Sequence, residues 1–273
     1  MKPISRVARV IEQGGSAQVE RKQLVIGAEG WEKTSPFLFL SEDWFGKPMG
    51  FETHPHRGMQ TVTIVLEGAI EHRDHTGAHG VLRAGDVQWM TAGHGVLHSE
   101  MPHGDETAHT LQLWLNLPAK MKMIPARYQD QRLKDTPVRK LAGGEVRVYA
   151  GRSGEVSHRH GSDYPMSLLD IRLDLGARLG QEIATRDRGF LYVLDGRARI
   201  GGIEVGKGNV AWFEPGEGEI LTIEAMEGVR GLLFGGEPIR EPAVAYGPFV
   251  MNSAEEIRQA FVDYQTGRLV GRR

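Results

Sequence analysis

Not one of the 273 residues is cysteine, and that absence closes several routes at once. Disulfide scaffolds, cysteine-ligated zinc, iron–sulfur clusters and thiol nucleophiles are all excluded. Neither sign of charge is in excess: 33 Lys and Arg face 35 Asp and Glu, a formal net charge of -2. No global field therefore draws the chain to nucleic acid or to an anionic bilayer. No apolar run approaches the roughly eighteen residues of a membrane span, and Met1 to Val10 has no apolar signal-peptide core. The plain reading is a cytoplasmic protein with no membrane and no direct nucleic-acid partner. A phosphate-cradling glycine loop is missing too, because Gly201-Gly202 and Gly235-Gly236 read as turn glycines. So is a nucleophile elbow.

What the chain has is glycine, 36 residues of it, which suits many short strands joined by tight turns. Its length allows two modest domains or one large β domain. From Phe37 to Leu117, Val/Thr/Ile-rich runs such as Val62-Thr63-Ile64-Val65-Leu66 alternate with glycine turns such as Glu67-Gly68. No helical period interrupts them, so this half reads as an antiparallel sandwich or barrel. Around residues 121–140 the prolines and basic residues mark a linker. The second half then repeats the first faintly. Tyr192-Val193-Leu194-Asp195-Gly196 echoes Ile64-Val65-Leu66-Glu67-Gly68, and Gly208-Asn209-Val210-Ala211-Trp212 echoes Gly85-Asp86-Val87-Gln88-Trp89. The expected division is residues 1–120, a linker over 121–140, and residues 141–235, with the tail 236–273 packed near the first domain. In that tail Ser253-Ala254-Glu255-Glu256 is a capping box opening a short helix, with Ile257, Ala260, Phe261 and Tyr264 as its apolar stripe.

The candidate chemistry sits in two short extended segments. In a strand, residues i and i+2 leave the same face. His54 and His56 therefore point one way, and His98 and Glu100 form a second pair. If the two strands pair, three imidazoles and a carboxylate converge on one point, a metal site. Donors of this type suit iron, manganese, nickel, copper or zinc, with iron(II) first. At the repeat offsets His54 and His56 fall on Glu182 and Ala184, while His98 and Glu100 fall on Leu221 and Ile223. One metal per chain, in the first half, is the expectation. His72, His75 and His79 lie in a polar hairpin and read as solvated; His94 and His103 read as loop residues. His109 is placed at the core or the site, and His158-Arg159-His160 reads as a loop. Phe51, Met59, Trp89 and Met101 are candidates for the wall of a substrate pocket.

These residues resemble a known family. His54-Pro55-His56-Arg57-Gly58, the run from Gly85 to Gly93, Leu97-His98-Ser99-Glu100-Met101-Pro102 and Tyr246-Gly247-Pro248-Phe249-Val250-Met251-Asn252 are similar to the pirin family of cupins. The resemblance implies an all-β bicupin: two cupin (jelly-roll) β-barrels in one chain, face to face, with a short C-terminal helix. It implies one metal, usually iron(II), held by His54, His56, His98 and Glu100 in the N-terminal barrel, with none in the C-terminal one. It also implies a quercetinase-like dioxygenase, opening a flavonol ring with O2 and releasing CO, in which Glu100 is the catalytic base. The alternative it implies is a non-catalytic, iron-dependent regulator with a protein partner, a transcriptional co-regulator or a modulator of a metabolic enzyme. One departure stands out: Gln60 occupies a position where pirins commonly carry Glu, which leaves the site's local polarity open.

Overall fold

The computed structural model describes residues 1–27, 30–159 and 161–271. Its contacts divide the chain into two compact units. The first comprises Glu12–Leu133 with the chain from Ile239 onward, and the second comprises Met1–Ile11 with Lys134–Pro238.

Each unit pairs a large antiparallel sheet with a four-stranded one, the two-layer arrangement of a jelly roll. In the first unit the large sheet runs, in spatial order, through strands Arg127–Gln131, Val87–Thr91, Met59–Glu67, Ala108–Asn116, Phe37–Phe45, Arg21–Ile26 and Ile11–Gly14. Its small sheet runs Phe51–His56, Val96–Pro102, Ala69–Asp74 and His79–Arg83. In the second unit the small sheet runs Arg178–Glu182, Ile220–Ala225, Arg197–Ile200 and Ile203–Gly206. That order reproduces the first small sheet strand for strand, so the two-barrel reading of the repeat holds.

The division departs from the sequence expectation at two places. Residues 1–11 do not join the N-terminal barrel. Arg6–Arg9 pairs antiparallel with Asn209–Phe213 at the edge of the second unit's large sheet. Nor is 121–140 a linker throughout. Arg127–Gln131 pairs with Val87–Thr91, and Val138–Leu141 already belongs to the second sheet through its pairing with Gly144–Ser153.

The two barrels differ in what fills them. The second unit closes around one apolar cluster that includes Val146, Leu169, Ile171, Ile183, Ile200, Phe213, Leu221 and Ile223. The corresponding cluster inside the first is small, Val19, Phe45, Val65, Ile70, Leu82 and Ala108. That interior also holds buried polar side chains, among them Thr63, His72, His98 and Glu100.

The C-terminal helix, Ala254–Gln265, begins at the expected cap: Ser253 Oγ accepts from the Glu256 amide at 3.2 Å. The Glu256 carboxylate in turn accepts from the Asn252 amide at 2.9 Å. Its buried residues, Ile257 and Ala260, pack with Phe249, Met251 and Leu269. Asp263, on the same helix, accepts from Arg57 at 2.8 Å. The tail is therefore tied to the residue that follows the first histidine pair. Among the described residues no helix is long and apolar enough to cross a membrane.

Candidate metal centre

The strand Val96–Pro102 lies between the two strands that complete the centre. On one side His98 is the direct antiparallel partner of His54, and Val96 of His56. On the other, Glu100 is the partner of His72. An irregularity between His98 and Glu100 shifts the register against the His54 strand, which accommodates both pairings.

The imidazoles of His54, His56 and His98 meet as expected. Their ring centroids are 4.8 Å apart for His54–His56, 4.4 Å for His54–His98 and 5.1 Å for His56–His98. One donor atom from each of the three lies within 4.8 Å of the others. Two of these rings are oriented by backbone carbonyls. His54 Nδ1 is 2.7 Å from Glu52 O, and His56 Nδ1 is 3.2 Å from Pro248 O. In each case Nδ1–H donates and Nε2 is left as the ligating nitrogen. Gly58 turns the chain out of this strand at φ +78°, where a Cβ would meet Val250 O at 2.0 Å. Only glycine fits there.

Glu100 is buried, but its carboxyl is turned toward Thr63 and Gln112. Thr63 Oγ1 lies 2.8 Å from Glu100 Oε1 and 2.8 Å from Gln112 Oε1, and Gln112 Nε2 donates to Glu100 Oε2 at 2.7 Å. A hydroxyl has one proton and serves one acceptor at a time. The ring is satisfied in full when Glu100 carries a proton, donating to Thr63, which donates to Gln112. Burial is the main force on this group and pushes its pKa up to about 7, with the nearby Asp43 carboxylate acting in the same direction.

The histidines are driven the opposite way. Burial brings His56 down to about 3 and holds His98 well below the ordinary imidazole value. Burial likewise lowers His54 and His72. Neutral imidazoles are the form that binds a metal.

The expectation of a solvated His72 is overturned. It is 0 % exposed, on the inward face of Ala69–Asp74. Its ring is 5.2 Å from that of His98 and 5.0 Å from that of Tyr128. It forms a second three-donor group with His98 and Glu100, all within 4.8 Å. The missed signal was alternation: Ile70, His72 and Asp74 share a face, with Ile70 in the barrel core.

The other described histidines fall outside the centre. His79 is exposed and bonds Glu71 at 2.6 Å. His75 is half-buried on the outer side of the small sheet, in a groove it lines with Arg73, Leu97 and Ser99. His109 lies neither in the core nor at the site: it stacks on Trp44 at 4.2 Å and bonds Glu42 at 2.7 Å. His158 ends a short strand, and His160 lies outside the described residues.

Of the four wall candidates, Phe51 lies beside the donors, its ring 6.5 Å from that of His54. Trp89 instead donates to Gln131, Met59 packs with Leu38 and Val250, and Met101 closes over Gly50. Trp114, not among those candidates, also stands beside the site, its ring 5.3 Å from that of His56. Gln60 is three residues from Thr63 on the same strand and so leaves the opposite face. It donates to Thr91 at 3.1 Å and does not set the polarity of the centre.

The repeat comparison also needs a one-residue correction. The partner of Leu221 is Gln181, and Ile183 N donates to Glu219 O. Gln181 and Ile183, not Glu182 and Ala184, therefore occupy the places of His54 and His56. Ile223 pairs with Ile200 as Glu100 pairs with His72. Among the described residues, the second barrel has an amide and four aliphatic side chains where the first has four imidazoles and a carboxyl.

Family models agree with this architecture. Residues 18–115 match the pirin model and residues 168–270 match the pirin C-terminal cupin domain. A pirin-like protein of Solanum lycopersicum is 41% identical over 265 residues, covering 96% of this chain and 90% of the relative. The chain belongs to the pirin family. A Pseudomonas aeruginosa pirin relative, named as a proposed quercetin 2,3-dioxygenase, is 42% identical over 259 residues, 90% of each chain. The crystal structure of a quercetin 2,3-dioxygenase from Acinetobacter baumannii is 31% identical, with TM-score 0.91 and 99% of both chains covered.

The donors fit a divalent transition metal. Both ring nitrogens of His98 and both of His72 are buried without a hydrogen-bond partner. Orphaned groups of this kind cost about 1–3 kcal/mol each, and a bound cation would satisfy one nitrogen of each ring.

Proposed function

We propose that this pirin is a metal-dependent dioxygenase that opens the ring of a flavonol-like substrate with O2 and releases CO. His54, His56, His98 and Glu100 would hold the metal, with iron(II) as the first choice for an all-nitrogen-and-oxygen donor set. The observation that carries the reading is the buried convergence of imidazoles around His98, whose ring nitrogens have no other partner.

When bound, the metal would supply a Lewis acid that acidifies a coordinated hydroxyl and an open position for O2. The rest is done by the chain. Glu100, raised to about 7 by burial, has the affinity to accept the proton of the flavonol 3-hydroxyl near neutral pH. Thr63 and Gln112 hold that carboxyl in place. Trp114 and Phe51, beside His56 and His54, offer flat apolar faces to a planar aromatic substrate.

Elemental analysis of protein purified without chelators, followed by an aerobic quercetin assay with CO detection, tests the reading. A stoichiometric metal and CO release are expected, both lost in His98→Ala. In Glu100→Gln, turnover should fall by on the order of a hundredfold or more, the size of a general base's contribution. A metal-loaded protein that consumes no flavonol and yields no CO would end it.

A further inference from the structure

We propose that His72 is itself a metal ligand, the donor that joins His98 and Glu100 into an inner triad overlapping the outer triad of His54, His56 and His98. The proposal rests on the metal reading above and adds a donor to it. Three independent observations support the assignment.

The first is geometry. The three inner donors, like the three outer ones, lie within 4.8 Å of one another, and the His72–His98 ring separation of 5.2 Å is close to the 5.1 Å of His56–His98. Strand pairing explains why. Glu100 stands directly across from His72 in one ladder, while His98 stands across from His54 in the other.

The second is that His72 has nothing else to do. It is fully buried, and neither ring nitrogen has a hydrogen-bond partner. A buried histidine kept only for packing would ordinarily have at least one ring nitrogen hydrogen-bonded.

The third is the internal repeat. The second barrel keeps the strand order but has Gln181, Ile183, Leu221 and Ile223 where the first has His54, His56, His98 and Glu100. At the place of His72 it has Ile200, buried in the apolar core. The donor at position 72 is lost together with the other four, as a member of the set would be.

A fourth imidazole makes the centre richer in nitrogen than a three-His, one-Glu site. On ligand type this moves its preference from manganese and iron toward nickel(II) and copper(II).

The test uses the full chain loaded with one equivalent of copper(II), with the imidazoles on the metal counted by pulsed EPR of nitrogen hyperfine couplings. Cobalt(II) titration supplies the affinity. The parent should show four coupled imidazoles, and His72→Phe and His72→Gln three. Their cobalt affinity should drop by on the order of tenfold or more, since even partners outside the ligand set are worth that much. His75→Phe, on the outer side of the same sheet, should change neither readout.

Three imidazoles in the parent, with unchanged spectra and affinity in both His72 variants, would overturn the assignment and leave the metal reading standing. No copper or cobalt uptake by the parent would overturn both. The parent's imidazole count decides the matter even if a variant does not fold.

Discussion

A carboxyl that burial holds protonated weakens a fold as pH rises, and Asp187 in the second unit is in that position. Burial is the main cause that pushes it from 3.8 up to about 6; Glu237 adds to the rise, while Arg186 and Lys2 oppose it. The folded state binds this proton more tightly than the unfolded chain. Its contribution to stability is therefore complete below about pH 4 and is lost as pH climbs through about 6. Asp187→Asn should stabilise the second unit by about 1–2 kcal/mol at pH 8, discounted for partial exposure. The gain should vanish at pH 4, and chemical denaturation at the two pH values checks it. An equal effect at both would refute the argument. Residues of this kind were the least legible in the sequence. The pairs His54/His56 and His98/Glu100 announce themselves through i, i+2 spacing, which needs no knowledge of the fold. His72 sits two residues beyond Ile70 in an equally regular alternation, but His75 and His79 beside it made the hairpin look uniformly wet. Only the pairing of Glu100 with His72 shows what it faces. The second barrel shows the same limit, because a comparison one residue out of register puts every side chain on the wrong face. The sequence offsets point to Glu182 and Ala184, where the structure has Gln181 and Ile183.

Among the elements, the segment after Asn116 has the plainest mechanical role. Lys122 is buried, and its ammonium donates to Gly58 O at 2.8 Å, Asn116 Oδ1 at 2.7 Å and Val250 O at 3.1 Å. It thus joins the turn after the His54–His56 strand, the end of Ala108–Asn116 and the tail strand Phe249–Met251. The Arg57–Asp263 pair ties the same turn to the helix, and Pro248 O orients His56. Lys122→Met keeps the apolar stem but leaves three oxygens without their donor. We expect a loss of about 2–4 kcal/mol in the first unit. Thermal unfolding should show it, together with faster hydrogen exchange at Gly58 and Val250. Unchanged exchange at both would show that Lys122 does not hold them. The sequence revealed the helix because a capping box and an apolar stripe are local features. It concealed the strand Arg127–Gln131, whose residues Arg, Tyr, Gln, Asp and Gln have no apolar alternation. That strand is specified by its neighbour instead: Gln88 donates to Asp130 at 2.8 Å and Trp89 to Gln131 at 3.2 Å.

At the scale of the whole molecule, each unit includes a distant stretch of chain. The tail from Ile239 belongs with the first unit, and its shared motif made that expectation accessible. The first eleven residues belong with the second, and nothing in them showed it. Arg6–Arg9 is four residues long and largely exposed, so it offers no periodicity to read, and its place is fixed by backbone bonds. Lys2 N donates to Ile220 O at 2.7 Å, Ser5 N to Trp212 O at 2.8 Å and Val10 N to Gly208 O at 3.0 Å, while the Arg6 guanidinium lies 4.4 Å over the Trp212 ring. Deleting residues 1–10 would bare the edge of Asn209–Phe213 and leave its outward backbone groups to water or to another chain. Faster hydrogen exchange is expected across 188–213, with a lower unfolding midpoint for the second unit and a greater tendency to aggregate. Metal binding should be unaffected, because all five candidate donors lie in the first unit. A shortened chain that loses its metal while 188–213 stays protected would mean that these residues serve the first barrel after all. The double assignment would then have to be abandoned.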